Sequence, residues 1–224
     1  MKRFQDLRTP LLEGVYDPNI FKAIFLAGGP GSGKSYVVRR TTGGTGLKIV
    51  NSDPAFELLL KNAGLSLKMP PEEFERKEKV RGRAKELTKK QQKNYLEGRL
   101  GLIIDGTGKN AEKILLQKGH LEELGYDTYM IFVNTSIDVA LQRNADRARS
   151  LPASNVVSML KEVQSNIGTF SNIFRQGMII VDNNDAGEDV LKEVWKRVQG
   201  LLKKKVTNTR AKNWMAMELA KRKR

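Results

Sequence analysis

The chain has 224 residues, no cysteine, a single histidine and a formal net charge of +15. These values exclude disulfides, thiol catalysis and Cys-ligated zinc, and leave a His-based metal site without its ligands. The length suits one well-cored domain with additions rather than two full-sized ones, and no apolar run approaches the roughly 20 residues that a bilayer span needs.

Residues 1–20 read as an irregular leader containing Pro10 and Pro18. Met1-Lys2-Arg3 has no apolar stretch behind it, so no secretory signal is expected and the chain reads as cytoplasmic. Five short apolar runs follow: Phe21–Ala27, Leu47–Val50, Leu102–Ile104, Thr128–Val133 and Met178–Val181. They are near-continuous rather than alternating, as parallel strands covered on both faces are. Helix-prone segments separate them, which predicts a doubly wound α/β sheet with right-handed crossovers.

Directly after the first run stands Gly28-Gly29-Pro30-Gly31-Ser32-Gly33-Lys34-Ser35, which satisfies G-x-x-x-x-G-K-[ST] between a strand and a helical stretch, Tyr36–Arg40. Glycines at these positions let consecutive backbone N–H groups curl around phosphate oxygens, and the following helix adds its positive end. Lys34 is expected to reach the β- and γ-phosphates and Ser35 to offer its hydroxyl to magnesium, so ATP with magnesium is the expected ligand. A GTPase would need N-K-x-D, which the chain does not contain; Asp105-Gly106-Thr107-Gly108 spells D-x-x-G without that partner. With no L-S-G-G-Q and a chain small for a helicase, a nucleotide-driven kinase remains.

Asn51-Ser52-Asp53 follows the second run, so Asp53 lies at a carboxyl end of the sheet, where α/β ligands bind. It is a candidate general base for an acceptor hydroxyl and a candidate metal ligand; alternatively it caps the helix that Pro54 begins. Pro70-Pro71 opens a long helix, about residues 72–99, with nine Lys/Arg between Arg76 and Lys93 on its outer faces. Arg81 and Arg83 there are acceptor-side candidates, and the helix is either a phosphate-tracking surface or an ordinary solvated face. Asp105 ends the third run, placed to hold magnesium through water or to touch the acceptor, with Thr107 and Lys109 on the same loop; a turn-forming role before Gly106 is the alternative. His120 is expected on a helix surface.

After the fourth run a helix carries Arg143, Arg147 and Arg149, ahead of Leu151-Pro152. Arg143 and Arg147 are spaced to share a helical face and to act as lid arginines over the nucleotide, the lid covering about residues 143–156. Ala186–Lys204 and Asn208–Lys221 read as two further helices. From Lys203 to Arg224 nine Lys/Arg face one acid, Glu218, so more than half of the +15 lies in this segment. A polyanionic partner, nucleic acid first, or a solubilising terminus would each account for it; in the second helix Ala211, Trp214 and Met215 read as packing against the domain.

The order of these parts resembles the zeta-toxin and bacteriophage polynucleotide 5′-kinase group of P-loop kinases over roughly residues 21–185: the cradle, Asn51-x-Asp53, Ile103-Ile104-Asp105-Gly106-Thr107, and Arg143 with Arg147 ahead of Pro152. The resemblance implies a three-layer α/β/α sandwich with a parallel sheet of order 2-3-1-4-5. It implies Lys34 as phosphate clamp, Ser35 as magnesium ligand, Asp53 as general base, and Arg147 with Arg143 as lid arginines. The polynucleotide kinases carry an acceptor-binding arginine three residues after the base; Phe56 stands there in this chain. The expected organisation is a leader (1–20), a kinase domain (21–204) and a basic C-terminal helix or tail (205–224). The first expectation for the acceptor is a nucleic-acid 5′-hydroxyl. A small nucleotide, nucleoside or nucleotide sugar is the second, and an ATP-dependent nucleic-acid binder without kinase activity a third.

Overall fold

A computed structural model describes residues 14–67, 70–146, 150–185 and 187–221. Five strands form one wholly parallel sheet: β1 (Lys22–Ala27), β2 (Lys48–Val50), β3 (Leu102–Asp105), β4 (Asp127–Asn134) and β5 (Met178–Asp182). Their spatial order is β2-β3-β1-β4-β5, the order expected. The central strand β1 is buried at all six positions. Its alternate side chains feed both faces of the sheet, so five of the six are apolar; the sixth, Lys22, is buried with its ammonium 2.6 Å from the Asp127 carboxylate.

On one face, Ile24 and Leu26 meet Val37 and Val38 of α1 (Lys34–Thr42) and Leu191, Val194 and Val198 of α8 (Glu188–Lys203). On the other, Phe25 and Phe132 pack with Phe170 and Phe174 of α7 (Ile167–Phe174), beside Leu121 of α4 (Ala111–Glu123). Two smaller cores flank the carboxyl end of the sheet. Phe56 and Leu60 of α2 (Asp53–Asn62) bury against Ala84 of α3 (Phe74–Glu97). Ala140 of α5 (Ile137–Ala145) buries against Val156 and Leu160 of α6 (Ala153–Ser165). Among the described residues no helix is long and apolar enough to cross a membrane.

Two expectations change. Lys77, read as part of a solvated basic face, is buried, and its ammonium lies 3.0 Å from Glu73. Glu73 also accepts the N–H of Ser66 at 2.9 Å, so this ion pair ties the start of α3 to the loop behind α2. Lys118 and Glu122 on one side of α4 pair conventionally, and His120 between them is exposed, as expected. The helix expected to carry all three arginines stops at Ala145: Asn144 turns its side-chain amide onto the backbone of Leu151, donating at 2.8 Å and accepting at 3.0 Å. Arg147 and Arg149 lie outside the described residues.

The last helix, α9 (Thr209–Lys221), is docked by apolar contacts. Ala211 is buried against Gly125, and the Trp214 ring meets Phe21 edge-on at 5.5 Å. Phe21 precedes β1, whereas the glycine-rich loop follows it. The docked end of α9 and the loop are therefore at opposite ends of a strand about 20 Å long.

Candidate active site

The loop after β1 bends on glycines that cannot be replaced. Gly31 and Gly33 have φ of +75° and +80°, a left-handed region that side chains disfavour. A Cβ on Gly31 would lie 2.3 Å from the carbonyl of Ala140. The α5–α6 pair thus backs directly onto the loop and fixes its curvature. Gly33 is the residue before α1, and its N–H and that of Ser35 have no acceptor among the described residues. These are the open donors that every helix start leaves. The Ser32 hydroxyl is also buried there without a hydrogen-bond partner. A concavity lined by unmatched donors suits phosphate oxygens. Lys34 adds the positive charge, its ammonium donating to the Gly28 carbonyl at 2.6 Å.

This loop opens into a cavity of about 730 Å³ whose lining includes Gly29, Pro30, Gly33, Lys34, Ser35, Asn51, Asp53, Glu57, Asp105 and Thr107. The parallel sheet brings them together: β1 delivers the loop, β2 delivers Asn51 and Asp53, β3 delivers Asp105. Asn51 organises the acidic side. Its amide donates to Asp105 at 2.6 Å, and its oxygen accepts the N–H of Asp53 at 2.7 Å. Asp53 is the first residue of α2, following the cap position held by Ser52. Its carboxylate accepts no hydrogen bond among the described residues, so helix capping does not consume it. Burial raises the Asp105 carboxyl from its ordinary value, against the pull of the Lys34 charge; the Asp53 charge adds to the rise and the Asn51 amide opposes it.

Ser35, Asp53 and Asp105 are oxygen donors of the kind magnesium takes. Among the described residues no group of three or more His, Asp or Glu could hold a metal ion. Ser35, Asp53 and Asp105 line one cavity, and an ion held there would also need oxygens from phosphate and water. Thr107 contributes its backbone, accepting the Gly28 N–H at 2.9 Å.

The other expected residues sit elsewhere. The Arg81 guanidinium stacks over the Phe56 ring, 4.4 Å from its centroid, and pairs with Glu78; Arg83 is exposed. Neither lines the cavity. Arg143 donates to the carbonyls of Asn183 at 2.7 Å and Asn184 at 3.2 Å, behind the loop. Three residues outside the expected set also belong here: Asn51 as a bridge, Glu57 one helical turn after Asp53, and Asn183 beneath the loop. For Glu57 the i, i+4 spacing from Asp53 is a usable signal; for Asn183 the only signal is a polar residue immediately after an apolar strand.

The fold is that of P-loop kinases. A candidate kinase from Chloroflexus aurantiacus is 16% identical over 81% of this chain and 98% of its own, with a TM-score of 0.58. The AvrRxo1-ORF1:AvrRxo1-ORF2 complex with sulphate ions is 14% identical over 84% of this chain and 66% of its own, at 0.55. A gluconokinase from Sinorhizobium meliloti is 15% identical over 82% and 95%, at 0.50. No curated protein matches in sequence. The AAA_33 model, described as an AAA domain, matches residues 24–165, and the chain belongs to that family of P-loop nucleotide-binding domains.

Proposed function

We propose that this protein is an ATP- and magnesium-dependent kinase that phosphorylates a hydroxyl group on a small acceptor, in the manner of the zeta-toxin-like branch of P-loop kinases. The observation that carries this reading is the Asp53 carboxylate, free of capping duty, in the same cavity as Lys34 and Ser35. Lys34 swings from the Gly28 carbonyl to the transferred phosphate, and the open N–H groups of the loop hold the phosphates that stay behind. Magnesium, when bound beside Ser35, Asp53 and Asp105, neutralises charge on the phosphate oxygens. Asp53 accepts the acceptor hydroxyl's proton as the oxygen attacks in line. The role of offsetting charge on the transferred group falls to Arg147, as the resemblance implies, and Arg143 stands behind the cradle.

A small acceptor is favoured over a nucleic-acid end by two features. The position of an acceptor-binding arginine is filled by buried Phe56, and Arg81 beside it lies outside the cavity lining. The basic α9 docks at the far end of the sheet from the cradle. A 5′-hydroxyl of a single strand is the second reading, supported by the exposed basic face of α3, which packs on α2 beside the site. A nucleotide-gated binder without transfer activity would have no use for the Asp53 base. The test is to incubate the chain with γ-labelled ATP and a panel of nucleosides, nucleotides, nucleotide sugars, 5′-hydroxyl RNA and 5′-hydroxyl DNA. Label on a small acceptor is expected; label on the oligonucleotides alone would replace the first reading with the second, and no label with any acceptor would favour the binder.

A further inference from the structure

We infer that Asn183 is a positioning residue of the phosphate cradle, held in place by Arg143, and that it orients the Ser32–Gly33 peptide for phosphate binding. The inference rests on the loop being a nucleotide-phosphate site, as proposed above.

β5 ends Ile179-Ile180-Val181-Asp182, and the next residue is a buried amide, with Asn183 only 3% exposed. A primary amide in that position is costly unless its groups are matched. Its backbone N–H donates to Asn134 at 2.9 Å, which extends the β4–β5 pairing by one residue. Its carbonyl accepts Arg143 Nη1 at 2.7 Å. Its side-chain Nδ2 donates to the carbonyl of Ser32 at 2.7 Å, across 151 residues of sequence. The second terminal nitrogen of Arg143 donates to the carbonyl of Asn184 at 3.2 Å.

The consequence follows from peptide geometry. In a planar trans peptide the C=O and the following N–H point in opposite directions. Anchoring the Ser32 carbonyl on Asn183 therefore turns the Gly33 N–H the other way, away from β5 and towards the concave side of the loop. That N–H is one of those without an acceptor. The contact is close enough to require glycine: a Cβ on Gly33 would lie 2.3 Å from Asn183 Nδ2 and 3.6 Å from Arg143 Nη1. Without the anchor, the Ser32 carbonyl is able to rotate inward and present a negative end to the phosphate. Arg143 supports Asn183 from α5, so the cradle is braced by both the strand behind it and the helix beside it.

The test compares the parent chain with Asn183→Leu, which keeps side-chain size and neutrality but has no donor, and with Arg143→Lys, which keeps the charge but has one nitrogen in place of the two that each reach a carbonyl. Calorimetry with ADP and magnesium should show affinity about tenfold weaker for Asn183→Leu, the magnitude of one lost hydrogen bond. Arg143→Lys should weaken it several-fold, and the double variant should lose less than the product of the two, because both act through one contact. Binding of adenosine should not change. In ¹⁵N-labelled parent protein the Gly33 amide resonance should move downfield when ADP is added, and in both variants that shift should shrink; a change in packing alone would leave it in place. ADP affinity and Gly33 shift equal to the parent's in either folded variant would overturn the inference. Failure of the parent itself to bind ADP would instead overturn the cradle reading, and this inference with it.

Discussion

The side-chain amide of Asn51 donates to the Asp105 carboxylate across 2.6 Å. Because the same side chain accepts the Asp53 N–H, one neutral residue sets the spacing of two acids that would otherwise repel. β2 and β3 are neighbours in the sheet, with Val50 opposite Ile104, so the residues that follow them meet at one edge of the cavity. The acidic side is therefore built by strand pairing, and its chemistry is open to test.

Asp53→Asn keeps size and hydrogen-bonding capacity while removing basicity. A general base contributes typically about 10²–10⁴-fold, so kcat should fall by that order while ATP affinity moves little. Rapid-quench transfer assays with parallel ATP titrations check this. A rate within a few-fold of the parent's removes Asp53 as the base; a joint fall in rate and magnesium–ATP affinity, restored by excess magnesium, makes it a metal-organising residue instead.

Lys34→Ala should abolish transfer and weaken ATP binding strongly, since no other side chain of the cradle carries a positive charge. Turnover equal to the parent's in a folded Lys34→Ala chain is incompatible with a P-loop kinase.

Asp105→Asn should separate stability from function. The Asp105 carboxyl is raised in the folded state, so folding favours its protonated form. The stability this confers is fully present below the unfolded value, about 3.9, and is lost as pH rises through the folded value. At pH 7 the ionised carboxylate is thus a cost to the fold that Asn removes. Thermal melts should show a higher Tm for Asp105→Asn at pH 7, and the difference should close as the pH is lowered past the carboxylate range. Magnesium-dependent ATP binding should weaken in the same variant. A lower Tm at pH 7 would mean that the Asn51 contact needs the charge.

Trp214→Ala should lower stability by on the order of 2 kcal/mol, because it removes a half-buried ring from the Phe21 edge. Denaturant melts measure it. Cutting the chain before α9 would uncover the same surface, so the contribution of charge is better read by replacing Lys212 and Lys221 with Gln. Those changes should leave the melt unchanged and, if the basic segment contacts nucleic acid, flatten the salt dependence of that binding.

The cradle and the five strands were legible in the sequence because each rests on local rules, whereas the strand order came only with the family resemblance. A phosphate loop needs glycines and a lysine at fixed offsets after a strand, and a buried parallel strand must be apolar on both faces; the five runs accordingly match the strands to within a residue at each end. Asp53 and Asp105 could be named for the same reason, each following a recognisable strand. What the sequence left open was which groups the tertiary structure buries and which partners it gives them. The partner of Lys77, Glu73, is only four residues away, but nothing in that spacing marks Lys77 as buried rather than as half of an exposed pair. Nothing local sends Arg81 onto the Phe56 ring, or turns Asn144 back to end α5 before Arg147. The brace from Asn183 to Ser32 spans 151 residues. A side chain's partner is decided by whichever group the fold brings within hydrogen-bond reach, and burial then makes that contact obligatory; strand character is written in each segment, but partnership is not.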